Sequence, residues 1–187
     1  VRKGQRHLLA LINDLLNFSR IEAGHIAYTI EPVSAAEIIE AIQPLVEPQA
    51  AARGVQLRPA DTPPDVVAAA DRGRTEQVLL NLLTNAVKFT DEGGTVTIRA
   101  RLEGGRVVLE VADTGIGIPE DLHETIFEPF TQVGRSLTSA HEGTGLGLAI
   151  SRDLARGMEG DLTVESTPGK GSTFRLWLPA AEQAADT

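Results

Sequence analysis

Apolar side chains along this chain recur at two periods, and the periods divide it into helices and strands. Steps of three and four run through residues 4–23, with Leu8, Leu11, Ile12, Leu15, Leu16, Phe18 and Ile21 on one broad face. The same spacing runs through EQVLLNLLTNAVKFT (76–90), where it collects Val78, Leu79, Leu82, Leu83, Ala86 and Val87. Both stretches predict amphipathic helices. Gly24 follows the first where a helix C-cap is expected, and Asp71 precedes the second as a candidate N-cap. Another helix is expected over Ala35–Arg53, interrupted by Pro44 and Pro48, and one more at about 146–158. Alternation predicts strands in AYTIEPV (27–33), VQL (55–57), VVAAA (66–70), TVTIRARL (95–102), RVVLEVAD (106–113), DLTVES (161–166) and STFRLWLP (172–179). The Glu103-Gly104-Gly105 turn joins one pair into a hairpin, and Thr167–Gly171 joins another. Neighbouring strands joined by tight turns, with helices inserted between them, argue for an α+β two-layer sandwich preceded by one long helix.

Composition narrows the class. The chain has 187 residues, of which 42% are hydrophobic, so it is expected to be globular. No apolar run approaches the roughly 18–20 residues a membrane span needs. No signal-peptide pattern is present, and the absence of cysteine excludes disulfides and thiolate metal sites. That absence also fits a reducing compartment. The net charge of −9 argues against nucleic acid as a partner. Residues 1–24 hold Arg2, Lys3, Arg6 and Arg20 against Asp14 and Glu22, a net of +2, so the rest of the chain carries −11. A polyanionic ligand would need help from helix ends, local cations or a metal ion. The predicted helix already under way at Val1 implies a piece of a longer protein, and the apolar face of 4–23 needs a partner helix.

The helix over 76–90 raises a chemical question. Asn81 and Asn85 lie one turn apart, and Lys88 follows a three-residue step later, along one edge of a helix that must be buried. Glycine clusters elsewhere suggest a nucleotide, yet the common phosphate loops fail. A P-loop at Gly169-Lys170 would need a glycine where Val164 stands and Ser or Thr where Gly171 stands. The dinucleotide fingerprint fails at Glu120 after Gly115 and Gly117, and at Leu148 after Gly143 and Gly145. The remaining constellation is NLLTNAVKF (81–89), DTGIGI (113–118), EPF (128–130) after Ile126-Phe127, GTGLGLAI (143–150) and PGKGS (168–172).

In order and content these five segments resemble the N, G1, F, G2 and G3 boxes of sensor histidine kinases. That group belongs to the wider class of ATPases that includes gyrase, Hsp90 and MutL. The resemblance covers about 25–180 and implies a Bergerat-type ATP-binding fold for residues 25–187. It also implies that residues 1–24 are the second helix of a dimerisation and phosphoacceptor hairpin, with homodimer formation through 4–23.

By resemblance Asn85 binds Mg²⁺, Asn81 lines the phosphates, and Lys88 adds a cation. A carboxamide oxygen is a hard ligand suited to that ion. Asp113 resembles the carboxylate that reads adenine, with Gly115 and Gly117 letting backbone approach the base. An ionised carboxylate accepts hydrogen bonds only, which suits the exocyclic amine of adenine. Gly143, Thr144, Gly145, Leu146, Gly147 and Leu148 form the phosphate-facing segment at a helix N-terminus. Ser172 is a candidate hydroxyl near the base, and Phe127 and Phe130 flank a polar segment that matches the ATP lid. Arg135 and His141 of that segment read as solvated loop residues.

Two departures refine the expectation. Where gyrase-like relatives carry a glutamate that activates water, this chain has Asn81, a poor base, which suits a site that holds ATP for transfer. The phosphoacceptor motif is also missing. His7, His25, His123 and His141 all lack an acidic or Arg-Thr-Pro context. The expected function is the ATP-binding catalytic part of a histidine kinase, passing the γ-phosphoryl of Mg-ATP to a histidine elsewhere and then to a response-regulator receiver domain. The resemblance implies a cytoplasmic location for the domain, whether or not the parent protein is membrane-anchored. A non-catalytic nucleotide-binding scaffold and a gyrase-like ATPase are the alternatives.

Overall fold

A computed structural model describes residues 26–60, 62–131 and 144–182, together with Ile12, Leu16, Ser19 and Gly24. Ile12, Leu16 and Ser19 are helical, with Ile12 and Leu16 exposed, and Gly24 has φ +66°. The rest of the expected helix over 4–23 lies outside the described residues. So do Gly143, Arg135, His7, His25 and His141.

The chain order is β1 (Glu31–Ser34), α1 (Ala35–Ala52), β2 (Gln56–Pro59), β3 (Val67–Ala70), α2 (Arg72–Phe89), β4 (Thr95–Glu103) and β5 (Arg106–Asp113). Two short 3-10 turns follow at Glu120–Leu122 and Thr125–Phe127, then α3 (Gly147–Gly157), β6 (Asp161–Thr167) and β7 (Gly171–Pro179). Five strands form one sheet in the order β2-β4-β5-β7-β6. All its pairs are antiparallel except β2 with β4. A separate antiparallel pair joins β1 to β3. The fold is the expected α+β two-layer arrangement, with three helices on one face of the five-stranded sheet. Among the described residues no helix is long and apolar enough to cross a membrane.

Two local expectations are corrected. The strand expected over 27–33 begins only at Glu31, because residues 26–30 are irregular and β1 exists only where it can pair with β3. Nor do Pro44 and Pro48 interrupt the first helix, since α1 runs unbroken from Ala35 to Ala52. Both prolines are exposed, whereas Ile38, Ile39, Ile42, Val46 and Ala50 are buried on the other side. A proline removes one intrahelical donor and crowds the carbonyl four residues earlier. On the solvent side water can satisfy that carbonyl, and the buried stripe holds the helix together.

The core lies between helices and sheet. Val78, Leu79, Leu82, Leu83 and Val87 of α2 are at most 1% exposed. They belong to the same cluster as Val96 and Ile98 of β4, Leu109 and Val111 of β5, and Leu176 and Leu178 of β7. Both ends of α2 are held by distant residues. At the N-terminus Asp71 accepts from Arg74 N at 3.0 Å and from Thr29 N at 2.9 Å. At the C-terminus Arg53 donates to the carbonyls of Val87 at 3.1 Å and Lys88 at 2.9 Å, satisfying acceptors a helix end leaves open.

The face of the sheet turned away from the helices carries a charged cluster. Glu110, only 3% exposed, accepts from Arg99 at 2.8 Å, Arg101 at 3.1 Å and Arg175 at 2.9 Å. Burial pushes the Glu110 carboxyl up, but the three guanidinium bonds outweigh it and hold its pKa below the ordinary carboxylate value. A depressed folded pKa contributes stability that is present above the unfolded pKa and is lost as pH falls through the folded one. Glu110→Gln is therefore expected to lower stability by about 1–3 kcal/mol at pH 7 in urea unfolding. The gap between variant and wild type should shrink as the pH is taken below the ordinary carboxylate range.

Candidate nucleotide site

Helix α2 presents the amide edge anticipated from its sequence, and two neighbouring segments face it. Near its middle, Asn81 Nδ2 donates to Ser151 Oγ of α3 at 2.9 Å. The first helical residue of α3, Gly147, packs directly on this amide. A Cβ there would fall 2.5 Å from Asn81 Oδ1, so any larger residue would displace the amide from this position. Leu146 stands at the N-cap of α3 with no side-chain cap bond, and the first intrahelical bond runs from Ile150 N to Leu146 O at 2.9 Å. The N–H groups of Gly147, Leu148 and Ala149 thus have no intrahelical acceptor, the condition that favours an anion at a helix start. Leu146 is itself buried, Leu148 half-buried, and Leu146 N donates to Thr144 Oγ1 at 3.2 Å.

One turn beyond Asn81, Asn85 is half-buried and makes no side-chain hydrogen bond to a described residue. Lys88 follows, its ammonium 5.0 Å from the Phe89 ring centroid.

At the far end of α2 the carbonyl of Phe89 accepts from Ile116 N at 3.2 Å, anchoring the turn after β5. Asp113 ends β5 at the start of that turn, opposite Ser172 of β7. Its Oδ1 accepts from Gly115 N at 2.8 Å and from Ser172 N at 3.3 Å. Burial raises the Asp113 pKa above the ordinary carboxylate value, and the two backbone donors offset only part of this. Gly117 has φ +70°, and a Cβ there would fall 2.1 Å from Thr167 O, so the turn closes on the β6–β7 connection only with glycine. Asn81 and Phe89 are about 12 Å apart at the helical rise. The carboxylate end and the helix-start end are thus separated along one rigid element.

The remaining expected residues are placed differently. Phe127 is 7% exposed and belongs to the core, edge-on to Phe174 at 6.4 Å between centroids. The Arg152 guanidinium lies 4.5 Å above its ring while bonding Glu124 at 2.9 Å and Asp161 at 3.3 Å. Phe130 is 65% exposed, and its N–H donates to Gly145 O at 2.9 Å, joining the two ends of the polar segment. His123 faces the Ile118 carbonyl at 3.1 Å, a local contact.

Sequence reasoning passed over Arg53, Ser151, Arg152 and Ser166. None lies in a motif, and each acts on a partner at least 28 residues away, so no local signal marks it.

Among the described residues no group of three or more His, Cys, Asp or Glu could hold a metal. One open carboxamide fits an ion that takes most of its ligands from phosphates and water.

The chain is similar to known proteins in sequence and in fold. Residues 70–182 match the family model described as histidine kinase-, DNA gyrase B- and HSP90-like ATPase. The circadian input-output histidine kinase CikA of Synechococcus elongatus is 42% identical over 92% of this chain, which spans 23% of CikA. Full-length ShkA in complex with AMPPNP superposes with a TM-score of 0.86 at 39% identity, covering 98% of this chain and 38% of ShkA. The catalytic domain of histidine kinase ThkA gives 0.71 at 30% identity, covering 81% of this chain and 96% of that domain. ThkA in complex with response regulator protein TrrA shares the fold, with a TM-score of 0.76 at 24% identity over 98% of this chain and 50% of that one. The chain spans about a third or less of the length of these curated relatives.

The raised pKa of Asp113 has a measurable consequence. The native state holds this proton more tightly than the unfolded chain does. Its contribution to stability is present below the unfolded pKa and lost as pH rises through the folded one. Asp113→Asn keeps an acceptor for Gly115 and Ser172 but carries no charge. Thermal melts should show it more stable than wild type at pH 7, with the advantage vanishing toward pH 3.

Proposed function

Because this chain belongs to the histidine kinase-, DNA gyrase B- and HSP90-like ATPase family and is its histidine-kinase type of ATP-binding catalytic domain, we propose that it presents the γ-phosphoryl of Mg-ATP to a protein histidine. The observation that carries this reading is the geometry of α2. One edge carries Asn81, on which the uncapped start of α3 packs, with the open Asn85 amide one turn further, and one end abuts a half-buried carboxylate whose Oδ2 accepts from no described residue. A triphosphate at one end and an amine-bearing base at the other would match both.

In this reading Asp113 accepts from the adenine amine, with Gly115, Gly117 and Ser172 shaping the base end. The N–H groups of Gly147 and Leu148, with Thr144, Gly145, Leu146, Asn81 and Lys88, hold the phosphates. Asn85 would hold Mg²⁺, which supplies charge neutralisation to the phosphate oxygens. Phe130, and Gly143 by its position in the sequence, border the same end, while Phe127 supports it from the core. The imidazole nitrogen of the acceptor attacks phosphorus as the bond to the β-phosphate oxygen breaks, and ADP leaves. Positioning and charge stabilisation are what such a transfer asks of a protein. Asn81 cannot take a proton from water, which supports transfer over gyrase-like hydrolysis.

None of the four histidines has the sequence context of an acceptor, so the acceptor is proposed to lie on a helix outside this sequence. Residues 1–24 would pair with that helix and with a second copy through 4–23, and 25–187 would form the catalytic domain. A response-regulator aspartate would receive the phosphoryl group next, in the cytoplasm.

Calorimetric titration of ADP and a non-hydrolysable ATP analogue, with and without Mg²⁺, tests this. Wild type should bind adenine over guanine nucleotides, and Asp113→Asn should lose at least tenfold in affinity. Asn85→Ala should keep ADP binding without Mg²⁺ but lose the gain that Mg²⁺ brings to the triphosphate. No binding by folded wild type at millimolar nucleotide would overturn the proposal.

A further inference from the structure

We infer that Ser166 is a specificity-determining residue at the base end of this site: it fixes the donor–acceptor polarity of the Ser172 hydroxyl, so that Asp113 and Ser172 together present only acceptors and select an exocyclic amine. The inference rests on the nucleotide reading above and deepens it.

Ser166 lies near the end of β6, outside the five sequence boxes. Its Oγ meets three partners from two segments, the turn after β5 and the start of β7. Ile118 N of the turn after β5 donates to it at 2.8 Å. The Gly171 carbonyl lies at 2.8 Å and the Ser172 hydroxyl at 2.9 Å. A serine hydroxyl has one hydrogen and two lone pairs. The amide of Ile118 can only donate, and the carbonyl of Gly171 can only accept. One arrangement satisfies all three contacts: Ser166 donates to Gly171 O and accepts from both Ile118 N and Ser172 Oγ. Turning the Ser166 hydrogen toward Ser172 instead would give up the bond to the carbonyl.

This assignment leaves Ser166 saturated and spends the hydrogen of Ser172. Only lone pairs remain on Ser172 Oγ for a ligand. Ser172 stands directly opposite Asp113 in the β5–β7 register, so the two side chains share a face of the sheet. Asp113 Oδ1 is occupied by the N–H groups of Gly115 and Ser172, which leaves Oδ2 as its open acceptor. Two acceptors side by side favour a group with two hydrogens. They offer nothing to a purine that lacks the amine. A Ser172 hydroxyl released from Ser166 could turn and donate to a ring nitrogen, which both purines carry, so the preference for the amine would shrink.

The test compares ADP with purine riboside 5′-diphosphate, which has hydrogen in place of the 6-amine. The readout is the dissociation constant of purine riboside 5′-diphosphate divided by that of ADP, measured by calorimetry. Ser166→Ala should lower this ratio about tenfold from the wild-type value, the scale of one mismatched hydrogen bond. Ser166→Thr, which keeps the hydroxyl, should restore it. If Ser166 only pins the three segments together, Ser166→Ala will weaken both nucleotides by the same factor and leave the ratio unchanged. That result overturns the inference while the nucleotide reading stands. Should Ser166→Ala not fold, Ser172→Ala decides, because removing one acceptor must also lower the ratio. An unchanged ratio there overturns the inference too. Wild type that binds neither compound would instead overturn the nucleotide reading itself.

Discussion

Helix α2 cannot turn about its own axis. One side of it buries Val78, Leu79, Leu82, Leu83 and Val87 against the sheet. Exposing each of these would cost about 1.5–3 kcal/mol. Asp71, its own N-cap, and Arg53, just past the end of α1, hold its two ends. The edge that carries Asn81 and Asn85 therefore points in one direction, and that direction is where α3 begins. The hydrophobic stripe is what aims the polar groups.

The other parts of the site are placed relative to this helix by backbone contacts. Ile116 N binds the carbonyl of Phe89, setting the turn after β5 against the end of α2. Gly147 sits on the Asn81 amide and brings the start of α3 to its middle. An added methyl at Gly115 would meet the Phe89 carbonyl, which backbone holds in place, and one at Gly147 would push the Asn81 amide out of its position. The nucleotide proposed here would run along an edge whose two ends are fixed by the same core that stabilises the domain.

Two carboxylates of the sheet, one buried and one half-buried, show opposite uses of one functional group. Glu110 is surrounded by three arginines, and its charge is favoured. Asp113 receives only two backbone donors, and its charge is disfavoured. Glu110 is fully served by the protein and knits the outer face together. Asp113 retains an unserved oxygen at the end of its strand, at a cost in stability, as expected where a ligand is to complete the set.

Most of the architecture was legible in the sequence because its elements have strong local periods. The α2 stripe, the Asp71 cap, the Glu103–Gly105 hairpin and the β6–β7 hairpin all depend on residues a few positions apart. So does the amide edge, which follows from the helical period alone. Three things depended on distance. The prolines of α1 are harmless because they face solvent, and which side faces solvent is settled only by packing. The Phe127 ring is a core residue because Phe174 and Arg152 come to it. Ser166 matters because Ile118, Gly171 and Ser172 converge on its hydroxyl. A sequence by itself determines which groups a helix or strand presents and on which side. Only the tertiary structure decides which of them are satisfied by a partner and which are left open, because a hydrogen bond depends on positions in space that distant segments set together.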